Sequence, residues 1–146
     1  MSDEIQNLIE RVKNIENSMN EIVLFAVKEN EDFVLELNLE KQLYKGFKNN
    51  GDSVRPKYAP STIKRKKRKG QPFDRVTLKD KGDFYEGFRV EYEEDSFIIY
   101  GDDEKTKYLI KRYGKEVFGL NDKSIGDLIE MIEEDFLKLV KIKLLG

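Results

Sequence analysis

Ile5, Leu8, Val12, Ile15, Met19, Ile22 and Ala26 follow one another at spacings of three and four residues. That rhythm confines the start of the chain to a helix with one apolar stripe, because residues so spaced share a helix face. The other faces carry Glu, Lys, Asn and Gln, and Ser2 or Asp3 is placed to cap the start. The stripe spans roughly 33 Å at the usual helical rise. Such a helix packs either on its own domain or against helices of other chains in a coiled coil or bundle. The expected organisation is therefore an extended N-terminal amphipathic helix over residues 1–29, an oligomerisation or docking arm, followed by a domain over residues 30–146.

The rest of the 146-residue chain has the length for one modest core. Apolar and charged residues each make up 38% of it, a balance that favours elongated helices or partner surfaces over a thick globular body. There is no cysteine, which removes disulfides, thiolate nucleophiles and thiolate metal sites. There is no histidine either, and with it go the commonest general base near neutral pH and the commonest nitrogen ligand. No catalytic residue, metal site or cofactor is expected. No apolar run approaches membrane-spanning length, and the acidic, polar start does not read as a signal segment. Synthesis and assembly in the cytoplasm follow as the expectation.

Beyond the first helix the pattern predicts an α+β domain with a small antiparallel or mixed sheet packed with helices. Phe33, Leu35, Leu37 and Leu39 alternate as in a short strand, with Val34 interrupting them. Residues 88–92 and 96–100 are stronger strands, and the acidic residues between them suit a hairpin. A short helix is expected over residues 103–113, ending before Gly114. A last helix runs from Asn121 or Asp122 to about Lys141. Its stripe of Ile125, Leu128, Ile129, Ile132, Phe136, Leu139 and Val140 is broadened by Met131 and Leu137. Candidate oligomerisation contacts are Ile5, Leu8, Val12, Ile15, Met19 and Ile22 on the first helix, with Ile125, Leu128, Ile132 and Phe136 on the last.

Charge is strongly segregated. Residues 1–54 carry about −5, residues 55–81 about +9 and residues 82–146 about −6. At the centre of the basic belt, Lys64, Arg65, Lys66, Lys67, Arg68 and Lys69 are consecutive. The run is expected on a long basic loop, in which Ser61 or Thr62 could start a helical turn after Pro60; there it is solvated, faces an acidic protein neighbour, contacts nucleic-acid phosphates or serves as a targeting signal. Phosphate contact would be salt-sensitive and blind to base sequence. Glu91, Glu93, Glu94, Asp95, Asp102, Asp103 and Glu104 form the opposing acidic cluster. On hairpin and loop surfaces these carboxylates are expected to be solvated or paired with cations and not to perform acid–base chemistry.

The stretches Gln42-Leu43-Tyr44-Lys45-Gly46, 56–63 (PKYAPSTI) and 70–85 (GQPFDRVTLKDKGDFY), with Val117-Phe118-Gly119-Leu120-Asn121 before the last helix, resemble small virion morphogenesis and tail-completion proteins of Bacteroidetes-type tailed phages and prophages. The likeness covers roughly residues 38–140. Lys81 precedes Gly82 where that group often has Thr, and the N-terminal heptad is not general in it. The resemblance implies a structural subunit of a head–tail connector, neck or tail-completion ring in the virion. It further implies assembly around the DNA passage through contacts with like copies and neighbouring neck or tail proteins. The alternative from the residues themselves is a non-specific nucleic-acid-binding accessory protein that uses the 64–69 run.

Overall fold

The computed structural model describes residues 3–145, which leaves Ser2 as a helix cap outside the described residues. The N-terminal third is helical but is not one extended helix. It divides into α1 (Asp3–Asn17), α2 (Met19–Glu29) and α3 (Glu31–Leu39). Both breaks have a local chemical cause. The Ser18 hydroxyl donates back to the Asn14 carbonyl at 2.8 Å, and the Asn30 side-chain amide donates to the Ala26 carbonyl at 2.8 Å. Polar side chains that bond carbonyls one turn back compete with the helical ladder. Asn30 Nδ2 also reaches Asp135 Oδ2 at 3.0 Å, which ties the second break to the last helix.

The strand expected at residues 33–39 is α3. Val34, Leu37 and Asn38 are its buried residues, an i, i+3, i+4 set on one helical face. Val34, which spoiled the alternation, therefore belongs to the core. The basic run is corrected as well, since it forms no long loop. It lies on α4 (Pro60–Lys69), with Pro60 in the first turn and Gly70 closing the far end at φ +69°. The pyrrolidine fits a first helical turn, where its missing N–H costs nothing. At the other end Gln71 N–H donates to the Lys66 carbonyl at 2.9 Å, satisfying one of the last free acceptors.

After α4 an irregular stretch leads through α5 (Asp83–Glu86) into the hairpin of β1 (Phe88–Tyr92) and β2 (Phe97–Gly101). The strands are antiparallel, with Phe88 opposite Gly101 and Tyr92 opposite Phe97. This two-stranded sheet is the whole sheet among the described residues. Helix α6 (Thr106–Tyr113) and a 3-10 turn at Lys115–Val117 precede α7 (Asp122–Leu145). Asn121 caps α7, its side-chain oxygen accepting the Ser124 N–H at 2.9 Å.

Helices α1, α2 and α3 all lie against α7. The Asn30–Asp135 bond and a bond from the Arg11 guanidinium to the Leu144 carbonyl, 3.1 Å, show that α1 and α2 run antiparallel to it. The core joins Val27, Val34, Leu37, Leu43, Val76, Phe88, Val117 and Leu128. Phe84, Phe88 and Phe118 form an aromatic knot beside it, with centroids 4.8–5.8 Å apart. Two buried amides stitch α3 and the following turn to the segment before α7. Asn38 donates to the Val117 carbonyl at 3.0 Å and accepts the Gly119 N–H at 2.8 Å. Gln42 donates to the Gly119 carbonyl at 2.7 Å and accepts the Asn121 N–H at 2.9 Å. All four polar positions of the two side chains so used are satisfied without water, as burial demands.

Candidate interaction surfaces

Three surfaces carry chemistry. The first is the outer part of α1, where every residue from Asp3 to Asn14 is exposed. Leu8 is 49% and Val12 41% exposed, and Ile5 and Ile9 are exposed with them. Below this point the stripe turns inward. Ile15 and Ile22 are buried, while Met19 sits at the margin. With Arg11 beside Leu144, the first turns of α1 run past the described end of α7. There Ile142 and Leu145 are also exposed. Of the C-terminal candidates, Leu128 and Ile132 are in the core, Phe136 is half-buried and Ile125 is exposed. A shallow apolar groove between α2 and α7, lined by Ile22, Phe25 and Leu139, continues the face. The expected oligomerisation set thus divides into a buried half that holds the fold and an exposed half that leaves apolar area in water.

The second surface is α4 and the cleft beside it. Of the six consecutive cations, Lys64, Arg65, Lys67, Arg68 and Lys69 are exposed and Lys66 is buried. The Lys66 ammonium donates to the Lys79 carbonyl at 3.0 Å and to Gln71 Oε1 at 3.4 Å. It also sits 4.9 Å from the centre of the Tyr58 ring. Neutral oxygens and a ring face hold this charge, with no carboxylate bonded to it. Lys69 pairs with Asp80 at 2.9 Å, and its hydrogen bond holds the Asp80 carboxyl below the usual carboxylate range, with Gln71 assisting. Lys67 lies over the Phe73 ring.

Between α4, the 78–83 segment and α6 opens a cleft of about 430 Å³. Arg65, Lys66, Lys79, Lys81, Lys105 and Arg112 line it, against Asp80 and Asp83. Its apolar wall is made by Tyr58, Phe84, Leu109 and Tyr113. These rings are committed to the structure. The Tyr58 hydroxyl accepts the N–H groups of Thr77 and Leu78 at 3.0 and 3.1 Å, and Phe84 and Tyr113 are buried. Leu78 takes φ +59° here, a left-handed conformation that costs a branched side chain energy. The cations at 105 and 112 are missed by a linear reading, since α6 lies far along the chain and inside its acidic third. A surplus of cations at α6 (Lys105 just before it, then Lys107, Lys111 and Arg112) within that third was the available signal.

The third surface is the acidic turn of the hairpin. Glu91, Glu93, Glu94 and Asp95 are exposed. Asp95 accepts the Asn20 amide at 2.8 Å and Glu93 the Ser96 hydroxyl at 3.3 Å. The other acids of the cluster lie at the opposite end of the hairpin, where Asp102 pairs with Arg89 at 3.2 Å. Among the described residues no group of three acidic side chains converges as a metal site, and no helix is long and apolar enough to cross a membrane.

These surfaces correct two further expectations. In place of an intermolecular coiled coil, the lower half of the heptad stripe packs within the chain, in a compact α+β domain. The bacteriophage, virion and connector identity drawn from the resemblance finds no support, for the chain matches no family model, no curated protein and no solved structure.

Proposed function

We propose that the protein is a structural subunit that works by protein–protein assembly, with the α1/α7 end as its main contact with further copies of itself. One observation carries this reading. Two to three turns of α1 are exposed at every position, and yet they keep Leu8, Ile9 and Val12 at helical spacing. A short helix standing in water is marginal, and a contiguous apolar face is a mark of an interaction surface. Burying a Leu or Val there is worth ~1.5–3 kcal/mol.

Sedimentation velocity of the full chain tests the reading. The wild type is expected to associate with rising concentration. L8E/V12E is expected to associate more weakly than the wild type with an unchanged circular-dichroism spectrum, since both side chains are exposed in the single chain. A wild type that remains monomeric throughout contradicts the proposal.

A second reading is supported by Lys64, Arg65 and Arg68, exposed on α4 and engaged in no ion pair among the described residues. It is non-specific contact with nucleic-acid phosphates. Its signature is DNA binding that weakens steeply with salt and is indifferent to sequence.

A further inference from the structure

We infer that the cationic cleft between α4 and α6 receives the acidic β1–β2 turn of a second copy, in a head-to-tail contact. The inference rests on the self-assembly reading above and adds a second, independent surface to it.

The cleft has unspent positive charge. Among the described residues Arg65 and Lys81 have no ion-pair partner. Arg112 engages only the neighbouring Tyr113, by its ring and by a 3.3 Å bond to its hydroxyl. Lys66 is held by neutral acceptors, and Lys105 reaches Asp83 at a loose 3.6 Å. Six cations against two carboxylates leave the lining strongly positive. The rings of the cleft are buried or fixed by hydrogen bonds, so it offers no free aromatic platforms of the kind on which single-stranded bases stack. An apolar wall with a charged rim is the anatomy of a protein contact.

The hairpin turn carries the matching charge. Glu91 and Glu94 are exposed and engage in no ion pair among the described residues, and Ile98 beside them is 45% exposed. Position decides whose turn enters whose cleft. Asp83 and Lys105 of the cleft lie by the Phe88–Gly101 end of the hairpin, where Asp102 N–H bonds the Gly87 carbonyl at 2.9 Å. The acidic turn lies beyond the Tyr92–Phe97 pair, at the other end. Five-residue strands separate the two by about 13 Å or more, so a subunit does not fill its own cleft. Complementary but non-identical surfaces at opposite ends of one element give a heterologous contact, which propagates into rings or filaments.

Charge reversal tests this in the full chain. E91K/E93K/E94K makes both surfaces positive, and R65E/K81E/R112E makes both negative. Each variant alone is expected to lose the head-to-tail contact in sedimentation velocity. An equimolar mixture is expected to regain it, because every turn then meets a cleft of opposite sign. Wild-type association is expected to weaken as salt rises, a readout free of any folding defect in the variants. Variants that associate like wild type, or a mixture that does not recover, overturn the inference. If the reversals are silent while L8E/V12E weakens association, the cleft contact falls and the assembly reading stands. Monomeric wild type removes both. If R65E/K81E/R112E abolishes binding of a DNA duplex and leaves association intact, the cleft is a phosphate site and the protein contact is overturned.

Discussion

Asn38 and Gln42 show how few residues fix the join between the helical layer and the segment that launches α7. Each buried amide uses both its donor and its acceptor on backbone groups of residues 117–121. Asn38→Ala leaves the Val117 carbonyl and the Gly119 N–H without partners, and a loss of ~2–4 kcal/mol is expected in urea unfolding. Neither amide was legible as a structural residue in the sequence, because polar residues between apolar ones read as solvent-facing. Only the fold brings their partners near. Two tyrosines set an alkaline limit. Burial pushes Tyr85 well above the ordinary phenol range, and burial with the 2.7 Å bond to Glu31 does so for Tyr92. Both are neutral in the folded chain and ionise more readily when it unfolds. Their contribution is thus complete below a pH of about 10 and lost as the pH rises through that value toward the folded pKa. Urea midpoints are expected to hold up to that pH and fall above it. A midpoint that rises instead would contradict the burial of the two phenols.

At the scale of elements, the hairpin and the last helix were readable and the N-terminal third was not. Strands over 88–92 and 96–100 follow from β-branched and aromatic residues flanking an acidic turn, and the second is found one residue later, at Phe97–Gly101. The heptad stripe gave the helix, but nothing in its spacing marked Ser18 and Asn30 as breaks. Those come from side chains bonding backward, one of them stabilised by Asp135 over a hundred residues away. Residues 33–39 misled because alternating Phe and Leu outweighed one Val, whereas burial follows the 34, 37, 38 set. The basic run misled in another way. A helical turn from Ser61 or Thr62 was readable within the loop, and Pro60 at the start, Gly70 at the end and the inward-turned Lys66 make it a full helix. Two glycines separate packing from propensity. At Gly87 a Cβ would meet the Asp103 backbone nitrogen at 2.9 Å, while at Gly126 within α7 it would meet nothing within 4 Å. Gly87→Ala is expected to destabilise by ~1–3 kcal/mol. Gly126→Ala is expected to stabilise by ~0.5–1 kcal/mol, read from thermal midpoints.

The whole molecule is a small α+β body whose apolar and charged surfaces are kept apart. Exposed aliphatic residues gather where α1 passes the end of α7, cations line the α4–α6 cleft, and acids crown the far end of the hairpin. Charge segregation was visible along the sequence from the start. Its meaning changed once α6, from the acidic third, was seen to contribute Lys105 and Arg112 to the basic cleft. The oligomerisation stripe changed too, since part of it is core and its outer turns are exposed. Contact with further copies of the chain is the function we propose for these surfaces. Sedimentation velocity of the full chain beside L8E/V12E tests that claim most directly. The account predicts association for the wild type and weaker association for the folded variant, and wild-type monomers at every concentration would contradict it.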